Sequence, residues 1–260
     1  MHKIKAAWIG FNDKDKDVWW SNAEALAKLG YAAMDGGDML IGETDAATDE
    51  NIARFFALGL KVLTVSVDYN NMSDEAITKI IDHAHRMKAD RATIWWSNLN
   101  NRVYDSELSY ENLMRELEGH EATAQRLLKE GIRLTYHNHS HEFTQEYKGV
   151  RGFDYMLINT ESLWFDLDIA WVHHGGMCPV DVMRRVGSRL ACLHVKDYLP
   201  PCTTWTALGT GVVDIGAALK QATEMELPYA AVEQDQLRNL DNMDTLRLGY
   251  YFMKESGFVE

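Results

Sequence analysis

Apolar positions along the chain fall into two alternating periods. Short runs of continuous hydrophobicity, such as KVLTVSV and LACLHV, read as strands buried on both faces. Between them lie stretches with the 3.6-residue period of amphipathic helices. Ile77, Ile80, Ile81 and Ala84 form one stripe, and Leu113, Leu117, Ala124, Leu127 and Leu128 a second. Ile215, Ala218, Leu219 and Ala222 form a third, opened by Asp214 as N-cap. Three helix ends share one device, a glycine followed by an apolar strand: AKLG-YAAM at Gly30, FALG-LKVLTVSV at Gly59 and LKEG-IRLTYH at Gly131. Gly30 and Gly59 stand 29 residues apart, about one strand-helix unit. Pro179 sits where the first turn of another helix would begin.

The strands predicted from this pattern are 4–10, 31–35, 61–67, 91–96, 132–137, 163–168, 190–195 and 229–233. Strict β–α alternation implies a parallel sheet with helices outside it. Eight units favour closure into a single-domain (β/α)8 TIM barrel spanning residues 1–260. The first strand is not followed by the GxGxxG turn that an open dinucleotide-binding sheet would carry. No low-complexity run or long linker divides the chain.

A length of 260 residues and a 46% hydrophobic content suit one large core. The formal charge of −13 argues against nucleic-acid phosphates as partners. The opening MHKIKAAWIGF lacks a secretory h-region, and no apolar run reaches membrane-spanning length. Cys178, Cys192 and Cys202 are odd in number and form no CxxC pair. Reduced thiols in the cytoplasm are the simplest reading.

In a barrel of this type the chemistry belongs at the C-terminal ends of the strands. The fifth strand runs into His137, Asn138, His139, Ser140, His141 and Glu142. The sixth ends on Asp168, and the seventh carries His194, Lys196 and Asp197. The eighth carries Glu233, Gln234 and Asp235. Singly, Asp168 could be a helix cap and His194 a hydrogen-bonded core residue. Four successive strand ends with carboxylates and imidazoles point instead to a divalent cation, Mn²⁺ first, with Mg²⁺, Co²⁺ or Zn²⁺ also suited. Lys196 is placed either to donate to a developing oxyanion or to pair with Asp197. Trp95 and Trp96, at the end of strand four, would form an aromatic wall for a sugar ring. His173 and His174, in the loop after strand six, are candidates for substrate contact. Trp19 and Trp20 read as core, and His83 and His85 as part of a solvated helix.

At these residues the chain resembles the sugar phosphate isomerase/epimerase superfamily, the xylose-isomerase-like TIM barrels. YHNHSHEF (136–143) is similar to the YHNHxxEF signature of one branch, which includes inosose dehydratase-like proteins and enzymes that cleave 3-keto- and C-glycosides. FDLDIAWV (165–172), LHVKD (193–197), ALGTGVVDI (207–215) and VEQD (232–235) follow in the family's order. The resemblance implies one divalent metal held by Glu142, Asp168, His194 and Glu233. It further implies that Glu142 and Glu233 act as an acid/base pair, with His137 and His139 as a separate base or hydroxyl-orienting residues. Many relatives carry the first glutamate on strand five itself, where this chain has His137. Should Glu142 point away, His137 or His139 is the substitute ligand.

The chemistry implied is proton abstraction α to a carbonyl and a metal-stabilised enediolate. Reprotonation gives a sugar isomerase or epimerase. Loss of a β-substituent gives a lyase or dehydratase. An abasic-site endonuclease shares the barrel but needs more ligands and a phosphate-binding face. A non-catalytic sugar or metal binder would show no proton exchange with solvent. The expected partner is a small sugar or keto-glycoside without phosphate, and neither nucleic acid nor membrane. The resemblance leaves room for a homo-oligomer or an accessory subunit.

Overall fold

The computed structural model describes residues 2–10, 15–96, 109–200, 204–233 and 240–260. Parallel strands at Lys5–Ile9, Ala33–Asp35, Lys61–Val62, Thr64–Val67, Arg91–Ile94, Arg133–His137, Trp164–Asp168, Leu190–Val195 and Tyr229–Val232 make up one sheet. Lys61–Val62 pairs with the second strand and Thr64–Val67 with the fourth, so both are halves of one third strand, split at Leu63. The Leu63 amide donates to Met34 and that of Gly37 to Thr64, both across 2.9 Å, which brings the sheet edges together. The eight expected strands are thus present, each within two residues of its predicted ends, in a nearly closed TIM barrel.

One long helix follows each strand: Lys16–Leu29, Asp45–Ala57, Asp74–Met87, Tyr110–Leu128, Gly152–Asn159, Pro179–Val186, Ile215–Glu224 and Asn242–Glu255. Six of the eight start on side-chain caps, including the expected one at Asp214, which accepts from the Ala217 amide at 2.9 Å. Pro179 takes the first helical position. At Gly30 the backbone has φ +123° and a Cβ would lie 2.1 Å from the Tyr250 hydroxyl, so glycine is required by both conformation and space. Trp19 and Trp20 are core residues, as expected. Leu128 is a correction to the second helical stripe: it ends its helix half-exposed instead of joining Leu127 in the core.

Side-chain alternation along the strands separates two interiors. Leu134, Tyr136, Phe165, Leu167, Leu193, Val195, Ala230 and Val232 face outwards into the main core beneath the helices. Their neighbours face the barrel axis. Ala7, Ala33, Leu63, Cys192 and Ala231 make a small apolar floor there. On the inward positions lie Thr135 and His137, Asp166 and Asp168, then Cys192, His194 and Lys196, all buried. The register sets His194 beside Asp168 on one flank and beside Ala231 on the other. Two short hairpins, Glu146–Tyr147 with Val150–Arg151 and Asp197–Leu199 with Thr204–Thr206, were not foreseen. Among the described residues no helix is long and apolar enough to cross a membrane.

Candidate active site

A polar layer fills the barrel axis below the strand ends. Thr64, Thr93 and Thr135 form a hydroxyl chain with links of 2.6 and 2.7 Å. Both Thr93 and Thr135 hydroxyls also lie within hydrogen-bond distance of Asp166 Oδ2, at 3.0 and 2.6 Å. Arg91 pairs with Asp166 and reaches Asp35 at 3.5 Å. Burial alone would penalise the Arg91 guanidinium, but the two aspartates hold it well above its usual range. This layer gives the side chains above it a buried, hydrogen-bonded support.

His137, His194 and Glu233 meet on that support. His137 Nδ1 lies 2.9 Å from His194 Nδ1, which is 3.2 Å from Glu233 Oε2. His137 Nε2 is 3.8 Å from the same carboxylate oxygen. The three offer ligand atoms close enough for one ion. Lys196 is fully buried and donates to the other oxygen, Glu233 Oε1, at 2.7 Å, and its Nζ lies 3.4 Å from Asp168 Oδ2. Asp197 is not its partner. That carboxylate accepts the Tyr198, Gly209, Gly211 and Val213 amides at 2.8–3.2 Å, which pins the glycine-rich loop after strand seven.

Electrostatics divide the cluster into ready donors and a guarded carboxylate. Burial pushes the His137 ring down to about 3, with Glu233 opposing and His194 and Lys196 assisting, so it is neutral at physiological pH. His139 is pushed down to about 3 by burial and by His137. Burial also works against ionised Glu233, yet Lys196, His137 and His194 hold it well below the carboxylate range. Asp168 is raised to about 6, burial and Glu233 outweighing Lys196. For His194, hydrogen bonds to Asp35, Cys192 and Glu233 overcome burial and lift the ring well above its ordinary value.

Glu142 is turned away from this cluster. Its Oε1 takes the Tyr136 hydroxyl at 2.7 Å and lies 2.9 Å from His141 Nε2, while Oε2 accepts the His139 amide at 2.8 Å. Tyr136 faces the helices, so Glu142 braces the loop from outside the mouth. His137 stands where the resemblance would have a glutamate. Asp168 has one oxygen on the Trp171 amide, 2.9 Å away, as a helix cap. The other, Oδ2, is buried and faces the Lys196 ammonium 3.4 Å away.

A cavity of about 190 Å³ opens over the cluster, lined by Trp95, Trp96, His137, His139, Trp171 and Glu233. Trp96 is 54% exposed and stacks on His139, with centroids 4.3 Å apart. His173 and His174 do not line it. They lie behind Trp171, His173 hydrogen-bonded to the Tyr198 hydroxyl at 2.9 Å and His174 edge-on to Trp171. Gln234, Asp235 and Cys202 lie outside the described residues. Two residues escaped the sequence reading. Asp35 ends the apolar run YAAM, the same signal that singled out Asp168. Trp171 stands inside the quoted FDLDIAWV motif.

Donor chemistry fits a divalent cation: two imidazoles and an ionised glutamate form a mixed nitrogen and oxygen set. Solved structures place the architecture. A sugar phosphate isomerase/epimerase from Parabacteroides distasonis superposes with a TM-score of 0.79 at 18% identity, covering 100% of this chain and 96% of that one. The chain has the xylose-isomerase-like barrel fold. A 3-keto-D-glucoside 4-epimerase from E. coli shares it with a TM-score of 0.72 and 13% identity, over 97% and 100% of the two chains. So does a xylose isomerase-like TIM barrel protein from Mycobacterium smegmatis in complex with magnesium, at 0.67 and 14%, over 98% and 96%. No family model and no curated protein matches the sequence.

Proposed function

We propose that this chain is a divalent-metal-dependent, cytoplasmic enzyme that removes a proton α to a carbonyl of a small unphosphorylated sugar or keto-glycoside, with isomerisation or epimerisation as the outcome. The observation that carries the reading is the convergence of His137, His194 and Glu233 at the base of a tryptophan-walled pocket. These three would hold the ion, with Asp168 as fourth ligand through Oδ2, now paired with Lys196. Mn²⁺ is the first choice, and magnesium in a structural neighbour keeps Mg²⁺ beside it. When bound, such an ion polarises the substrate carbonyl and offsets the charge of an enediolate.

The side chains supply the rest. Lys196 keeps Glu233 ionised from behind, leaving Oε2 to face the pocket. His139 lines the same pocket, and its Nδ1 is buried without a hydrogen-bond partner. Glu233 and His139 therefore take the acid/base roles, with Glu142 reassigned to bracing the His139 backbone. Trp95, Trp96 and Trp171 exclude water and give the ring apolar faces to rest on.

The test is incubation with Mn²⁺ in D₂O across 3-keto-glycosides, ketohexoses and inososes, read by mass. Deuterium at the carbon next to the carbonyl with unchanged composition supports isomerisation or epimerisation. A product short of a substituent means the same proton abstraction ends in elimination. Neither deuterium nor elimination would leave non-catalytic binding as the account.

A further inference from the structure

Asp35 closes the second strand and points along the inward positions, fully buried above Ala33. Its Oδ2 lies 3.1 Å from His194 Nε2. An ionised carboxylate can only accept, so Nε2 carries the hydrogen. With Nε2–H held on Asp35, a cation displaces whatever hydrogen the metal-free ring carries at its other nitrogen, Nδ1. That atom faces the other way, towards Glu233 Oε2 and His137.

We propose that Asp35 is a positioning residue that fixes the His194 tautomer through Nε2–H and thereby aims Nδ1 at a divalent cation. The inference rests on the reading that His137, His194 and Glu233 hold such an ion. A merely structural ion pair explains Asp35 poorly. Arg91 already has Asp166 as its nearer partner, and beyond Arg91 and His194 the Asp35 carboxylate meets only the weakly donating Cys192 thiol. Burying a carboxylate is expensive unless something requires its charge. Orienting a ligating histidine with a carboxylate on its far nitrogen is such a requirement.

Zn²⁺, being diamagnetic, is the probe. In the ¹⁵N-labelled wild-type chain with Zn²⁺, the expected imidazole spectrum shows His194 protonated at Nε2 and metal-bound at Nδ1. Asp35→Ala should weaken Zn²⁺ binding about 10–100-fold in competition with a chromophoric chelator, with the circular dichroism spectrum retained. Zinc on Nε2, or Asp35→Ala binding as tightly as wild type, would overturn the proposal. Should the variant not fold, the wild-type spectrum alone decides. Zinc that shifts His137 and His194 in wild type while ignoring Asp35→Ala sinks only the role of Asp35. A wild-type chain that binds no Zn²⁺ removes the metal reading, and this inference with it.

Discussion

Tyr136 donates its hydroxyl to Glu142 across 2.7 Å, on the helix side of the fifth strand. The bond turns the glutamate of the YHNHSHEF motif away from the mouth and hands its expected place to His137, one residue further along. The two positions therefore predict opposite phenotypes. Glu142→Gln should lower stability by about 1–3 kcal/mol, since a charged acceptor of buried bonds is lost, and leave Mn²⁺ affinity nearly unchanged. His137→Ala should weaken Mn²⁺ by more than about tenfold with little loss of stability. Calorimetric titration and urea unfolding of both variants give the four numbers. Loss of Mn²⁺ binding in Glu142→Gln would restore the ligand set that the motif implies.

That exchange marks where sequence reading stops. The barrel was legible because its signals are local: continuous apolar runs, helical stripes and glycine stops recur unit by unit. The positions of Asp168, His194 and Glu233 at the strand ends were legible because they follow from the strand pattern alone. Glu142 sits in a four-residue helical turn after the strand, and its direction depends on a hydroxyl and an amide that pattern does not reveal. Asp35 carried the same strand-end signal as Asp168, but on the other side of the barrel. Its value appears only when the barrel brings its Oδ2 to within 3.1 Å of His194 Nε2 on strand seven.

Lys196 sits against two carboxylates, Glu233 and Asp168, inside the barrel. Lys196→Met keeps the length of the side chain and removes the ammonium. The two acids then face each other with less compensation, and breaking a buried ion pair costs about 3–5 kcal/mol. The expected result is a lowered melting temperature in the presence of chelator, with Mn²⁺ restoring more stability to the variant than it adds to wild type. Equal Mn²⁺-induced shifts in the two proteins would show that the lysine and the cation do not serve the same pair of acids.

His120 offers a pH test away from the site. It is buried in the fourth long helix, and burial pushes its ring down to about 4. An unfolded chain takes up that proton near pH 6.5. Between these values the unfolded state binds more protons, so stability is full above about 6.5 and falls as pH drops towards 4. At pH 5 this one residue accounts for about 2 kcal/mol of lost stability. Urea unfolding at pH 7 and pH 5 with chelator should show a drop smaller by that amount in His120→Leu than in wild type. An identical drop would place the acid sensitivity elsewhere.

Trp96 is the last test, because it asks whether the pocket takes a ring. More than half of its surface is open, while its inner face rests on His139, so the fold gains little from it. An aromatic face held in that way gains burial only when something covers it. Stacking of this kind contributes about 0.5–1.5 kcal/mol. Trp96→Ala should therefore raise KM for a turned-over keto-sugar about 2- to 10-fold, leaving the melting temperature and Mn²⁺ affinity near wild type. An unchanged KM would mean that substrate sits against Trp95 and Trp171 alone. A loss of Mn²⁺ binding would mean that Trp96 acts through His139, making that histidine part of the cation site and not the base beside it.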